Sequence, residues 1–274
     1  MRLVQRHCVS LSPSHSSFSA RRLMHNSKIL RGGAYHRALD YCRGDVARPM
    51  AIGADQGILC FDGLIDKDMD VSLVAKLREG GLFVVRSSGG DIVSAISLSD
   101  LLRDRRAVVV VYDYCLSACA NYVAIASDRT YVLKGALVAW DYESSDPGYP
   151  SCTELRMGKT RDGSFRLQRG SCRPESGDQA AYRAVLSAQT RFYRERTVDP
   201  YFESPPDNLY VRRTVRNLYR DTDVYHHIMW TLNPRYYPRL FKTKMFYEQY
   251  PEGPNEVDEM VARLHLDIRV IYDP

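Results

Sequence analysis

The run Ala107-Val108-Val109-Val110-Val111-Tyr112 constrains this chain more than any other feature. A strand of that composition has no polar side to turn toward water. It fits an interior position in a sheet covered on both faces, as parallel sheets are. The segments around it keep the same rhythm from Gly57 to about Asp141. Gly57 to Ile65 reads as a strand. Next comes an aspartate-capped helix through Met69, Leu73, Val74 and Leu77, and Gly80-Gly81 stops it. Leu82 to Val85 is a short apolar strand, and a helix starts at Asp91 after the Gly89-Gly90 turn. Beyond the valine run, a small-residue helix is expected over Ser117 to Ser127, then strands over Arg129 to Leu133 and Ala136 to Trp140. Strands alternating with helices predict an α/β fold with a largely parallel sheet.

The flanks differ in character. Residues 1–50 read as a flexible basic leader. Its first 39 residues carry Arg2, Arg6, Arg21, Arg22, Lys28, Arg31 and Arg37 among serines, with no acidic residue. That resembles an organelle-type transit segment more than a secretory signal, since serines, a proline and a histidine break the apolar region. The core is placed at 51–200, with a Ser/Gly/Pro-rich surface excursion or lid over 143–177. Residues 201–274 read as a Tyr/Arg-rich, mostly helical extension. No run approaches the length of a membrane span. Seven cysteines include three local pairs, Cys42 with Cys60, Cys115 with Cys119 and Cys152 with Cys172. Pairing would suit an oxidising, extracytoplasmic compartment, and buried free thiols are the alternative. No cysteine or histidine spacing makes a zinc site, and no phosphate-binding glycine loop is present, so neither metal nor cofactor is expected.

Cys115-Leu116-Ser117-Ala118-Cys119 falls where the valine strand hands over to the next helix, about thirty residues after Ser87-Ser88-Gly89-Gly90-Asp91. A serine hydroxyl needs a base and donors for the oxyanion that forms on attack. Unpaired N–H groups at a helix start, here Ala118, can supply one donor. Gly89 and Gly90 can adopt positive φ and present another. An ordinary helix cap is the competing role for Ser117.

On these motifs the stretch from Gly57 to Tyr142 resembles the Clp peptidase/crotonase superfamily, and specifically bacterial Clp-like proteins of uncharacterised function that carry the same Cys-x-Ser-Ala-Cys. The resemblance implies a Clp/crotonase-like core of repeated strand-helix units and a homo-oligomer. It also implies a serine hydrolase or peptidase pocket in which Ser117 is the nucleophile and the amides of Gly89 and Ala118 form the oxyanion hole. The peptidases' histidine position is held here by Trp140, whose indole cannot accept a proton. A peptide or ester is the expected substrate of an active protein, and a non-catalytic binding or assembly protein is the alternative.

Candidate bases are Asp141, beside the missing histidine; Lys134, as in a Ser/Lys dyad; and His226, His227 or His265, returning from the C-terminal part. For each histidine the competing role is ordinary packing or solvation. The Arg/Tyr mixture of Tyr210 to Arg220 is expected to be a helix with a solvated arginine face, and nucleic acid is not an expected partner. Trp230 to Pro238 reads as an aromatic segment that docks on the core or on a second subunit. Asp66, Asp68 and Asp70 lack the spacing of a calcium loop and are expected to cap the helix after them.

Overall fold

The computed structural model describes residues 33–141, 153–159, 165–171, 176–198 and 228–273. Its centre is a nine-stranded sheet in the order β1-β2-β3-β4-β6-β9-β11, with β5 branching from β4 and β10 pairing with β5. The strands are β1 (Met50–Ile52), β2 (Ile58–Asp62), β3 (Leu82–Ser87), β4 (Val108–Leu116), β5 (Arg129–Val132), β6 (Leu137–Asp141), β9 (Ile228–Leu232), β10 (Lys244–Tyr247) and β11 (Arg269–Asp273). β7 (Thr153–Lys159) and β8 (Phe165–Ser171) form a separate antiparallel pair within the stretch expected as a surface excursion. β1/β2 and β6/β9 are antiparallel, and the other pairings in the large sheet are parallel. The fold is thus mixed α/β with a mostly parallel sheet, as the strand-helix rhythm predicts.

β4 organises this sheet because it is longer than its neighbours. Val109 to Val111 pair with β5, whereas Tyr114 to Leu116 pair with β6. Between the two halves the register against β3 shifts from Val85↔Val111 to Ser87↔Cys115, and Asp113 takes a φ of 51° there. Extra residues on one strand bend it and re-aim its side chains.

Alternation along β4 divides the core. Val109, Val111 and Cys115 pack with Leu98 and Leu102 of α3 (Ile92–Asp104) and with Phe192 of α4 (Ser176–Arg196). Val108, Val110 and Tyr112 turn the other way, toward Ala38, Leu39 and Cys42 of α1 (33–43). Leu116, Leu137 and Ala139 continue that second face under Val257 and Met260 of α5 (Pro254–Arg263). Both faces of the valine strand are covered, and full burial of each valine contributes roughly 1.5–3 kcal/mol. α2 (Ser72–Lys76) is short, and Leu77 at its end is already extended.

The structure corrects two expectations. The C-terminal part is expected to be mostly helical, yet its described residues, 228–273, also contribute three strands: β9 and β11 extend the main sheet and β10 extends β5. Met229, Trp230, Val270 and Ile271 are buried, so pairing with β6 and with each other carries these side chains into the core on the two faces of the sheet. The leader was expected to run through residue 50, yet its last part supplies α1 and the start of β1. A Cys42–Cys60 disulfide ties α1 to β2.

That crosslink closes an 18-residue separation and the Cys115–Cys119 crosslink a 4-residue one. Loop-closure entropy assigns about 3 kcal/mol to the first and about 2 kcal/mol to the second. Replacing Cys42 and Cys60 together by alanine should therefore lower the urea midpoint more than the same change at Cys115 and Cys119. Equal midpoints for the parent and the Cys42/Cys60 variant would contradict the role given to this bond. Cys8, Cys152 and Cys172 lie outside the described residues.

Candidate active site

The Ser117 turn and the Gly89-Gly90 turn meet. Ser117 has a φ of 53°, uncommon for a residue with a Cβ, at the junction where β4 ends. A serine on a strained strand-to-helix turn is the arrangement by which a nucleophile elbow presents its hydroxyl. Two backbone bonds fix the turn: the Ser117 N–H donates to the Ala139 carbonyl at 3.1 Å, and the Asn121 N–H donates to the Ser117 carbonyl at 2.8 Å. The Cys115–Cys119 disulfide brackets it covalently. Both sulfurs are committed to that bond, which removes either cysteine as a thiol nucleophile while it persists.

The segment after Ser117 differs from the expected helix through Ser127. It is a five-residue π-helical turn, Cys119–Val123, buried throughout. Hydroxyls take the carbonyls at its end: Thr130 Oγ1 donates to Ala124, and Thr243 Oγ1 donates to both Ile125 and Ser127. These side-chain bonds replace the main-chain bonds that would have continued a helix. A five-residue segment adds little macrodipole, so what Ala118 offers is its N–H group.

Opposite Ser117, the glycine turn has φ of 96° at Gly89 and 137° at Gly90. A Cβ on Gly89 would lie 2.7 Å from the Ser117 Cβ and 2.9 Å from the Ala118 nitrogen, so only a glycine permits this approach. The turn is pinned by Ile65, whose N–H donates to the Gly89 carbonyl and whose carbonyl accepts from Asp91, both at 2.8 Å. The Gly89 N–H itself donates to Ser87 Oγ at 3.1 Å. Of the amides named from sequence as oxyanion donors, that of Gly89 is thus engaged within its own turn. Those of Gly90 and Ala118 take no part in the turn's bonds. Gly90 is exposed and Ser117 half-buried, whereas Gly89 and Ala118 are buried, so the junction reaches solvent on the Gly90 side.

Asp91 caps α3, accepting from the Ser94 N–H at 2.8 Å and the Ser94 hydroxyl at 2.7 Å. Burial pushes its carboxyl pKa up, but the Ser94 bonds and Lys67 outweigh that and leave it lowered.

Among the described candidate bases, Lys134 and His265 lie together away from the Ser117 junction. Asp141 closes β6, its backbone paired with Met229. Lys134 lies on the exposed turn between β5 and β6 and lines a separate cavity with Arg43, Arg86 and Arg263. His265, also at positive φ, lines that same cavity. His226 and His227 lie outside the described residues. Trp140, where the sequence resemblance would have a histidine, is fully buried, with its ring 5.5 Å from Trp230 and 5.7 Å from Tyr237. The Trp230 to Pro238 segment thus packs on the core through Trp230 and Tyr237. Burial first, then the neighbouring Tyr247 and Tyr250, pushes the Tyr237 hydroxyl well above its ordinary pKa. It therefore stays protonated and donates or accepts within a Tyr237–Tyr247 pair at 3.0 Å.

Ser87 escaped sequence reasoning, although a serine two residues before a glycine is a known local backbone partner. Among the described residues no group of three or more potential metal ligands occurs, and no helix is long and apolar enough to cross a membrane. Asp66 and Asp70 serve local turns, accepting from the N–H groups of Asp68 and Ser72. No protein-family model matches the chain, and no curated protein matches it.

Proposed function

We propose that the chain is a Clp-like serine hydrolase or peptidase-type protein whose reaction centre is the Ser117 junction. The observation that carries this reading is the contact of the two turns: Ser117 at positive φ, with the Gly89 backbone against its Cβ and the Ala118 nitrogen. In this reading Ser117 Oγ attacks the carbonyl carbon of a peptide or ester. The carbonyl oxygen becomes the oxyanion between the Gly90 and Ala118 amides, and the serine proton passes to a base. Asp141, His226 and His227 are the candidates for that base. In this reading the two disulfides support an oxidising compartment, and the Clp/crotonase likeness adds a homo-oligomer.

Trp140 favours a second reading. Its burial against Trp230 and Tyr237 fills the matched histidine position with an aromatic core residue. A protein that keeps the pocket and lacks the base would be a binding or assembly protein on the same fold. A fluorophosphonate probe separates the two. Labelling of the parent that is lost in Ser117→Ala, with the melting transition retained, is the result expected of the hydrolase. No labelling of the folded parent supports the binding protein. Labelling that persists in Ser117→Ala would remove Ser117 from either reading.

A further inference from the structure

α1 and α5 cover the same face of the sheet, but they leave a trough of about 490 Å³ between them. Tyr114 and Asp113 of β4 lie in it. Arg43 reaches it from the end of α1, Arg86 from β3, Lys134 from the β5–β6 turn and Arg263 from the end of α5. Four basic side chains thus line a trough that contains one carboxylate, Asp113.

The bonds within the trough decide which charges are already satisfied. Asp113 accepts from Arg43 Nη2 at 2.8 Å and from Arg86 Nη1 at 3.2 Å. Arg86 is also held by Asp62 through two bonds of 2.7 Å, which raise its pKa further and keep it charged. Arg263 Nη2 donates to the Gly135 carbonyl at 2.7 Å, a neutral acceptor. Among the described residues, no carboxylate comes within 4 Å of the Lys134 ammonium or the Arg263 guanidinium. The guanidinium planes of Arg43 and Arg86 lie over the Tyr112 ring, each 5.6 Å from its centroid, which limits their motion. Lys134 and Arg263 also line an adjoining hollow that holds Glu256 and Glu259, and the Lys134 backbone N–H donates to Glu248 Oε2 at 2.8 Å, yet none of these carboxylates forms an ion pair with either side-chain cation.

Convergent, partly ordered cations with unspent donors, beside an aromatic floor, form an oxyanion site. The volume is that of a small-molecule site and exceeds what a bare ion needs. We propose that this trough binds the phosphate group of a small phosphorylated molecule. The dianion would be held by Lys134, Arg263 and Arg43, and the organic part would lie against Tyr114. Asp113 orients Arg43 and Arg86 and opposes the bound charge.

The test is calorimetric titration of the full chain with pyrophosphate and with inorganic phosphate at low ionic strength. Sodium chloride of matched ionic strength is the control. Saturable binding of pyrophosphate is expected, weakened at least tenfold in Lys134→Ala/Arg263→Ala and unchanged in Lys244→Ala, whose side chain lies on β10 outside the trough. Lys134 is exposed, so Lys134→Ala alone keeps the fold and should weaken binding several-fold. Asp113→Asn should strengthen it. Absence of pyrophosphate binding, or equal affinity in the parent and the double variant, would overturn the site. Citrate binding as tightly as pyrophosphate would overturn the assignment to phosphate.

Discussion

Replacing Gly90 with alanine is expected to lower the stability of the protein by about 3 kcal/mol, combining a disallowed φ with steric overpacking. The position holds a φ of 137°, and an added methyl group would be driven into the carbonyl oxygen of Ile65. That carbonyl cannot retreat without losing its bond from Asp91, and the Ile65 N–H holds the other side of the turn. Gly80→Ala is the internal comparison, because its φ of 70° is also left-handed but nothing lies within 4 Å of the new Cβ. It should cost only about 1 kcal/mol, the conformational part alone. Chemical denaturation of the two variants separates strain from collision. Equal losses would show that the close approach to Ile65 does not constrain the turn. Gly90→Ala should also abolish fluorophosphonate labelling of a reactive parent, since the displaced turn lies against Ser117.

The second large effect is expected at Trp140. Truncation to alanine should cost roughly 3–5 kcal/mol, the range for a large aromatic removed from a packed core. Trp140 is fully buried and touches two other aromatic side chains, Trp230 and Tyr237. Tyr237 in turn pairs with Tyr247, so the loss would spread to β10 through one shared cluster. A loss of less than about 1 kcal/mol relative to the parent in urea denaturation would mean that this cluster is not the hub connecting β6 with the C-terminal strands.

The parts of the fold legible in sequence share a physical cause. The valine run, the Asp91 cap and the Gly89-Gly90 turn each encode their structure within a few residues, through periodicity, a side-chain bond or a positive φ. Strands at the C-terminal end were not legible that way. Val270, Ile271, Met229 and Trp230 sit in runs too short and too mixed with Tyr and Arg to outweigh a helical reading, and only their pairing with β6 and with each other makes them strands. α1 was hidden because Ala38, Leu39 and Cys42 are a single turn's worth of apolar contact beside an arginine- and serine-rich stretch.

The candidate site divides in the same way. Ser117 and the glycines were recognisable from local chemistry, and their meeting was an inference from strand order. The engagement of the Gly89 amide by Ser87 and the short π-helical segment depend on hydroxyls from Ser87, Thr130 and Thr243, whose partners no local pattern announces. The basic trough was invisible for a stronger reason. Arg43, Arg86, Lys134 and Arg263 come from four separate regions of the chain, and only the sheet brings them together.

The Cys42–Cys60 bond makes a covalent ring of everything between those two residues, β1 included. A protease that cuts once inside the ring would linearise it without liberating a fragment. The product would have the mass of the parent plus one water and would migrate as one species until a thiol reductant opened the sulfur link. The helix that walls one side of the trough is therefore retained even by a nicked chain.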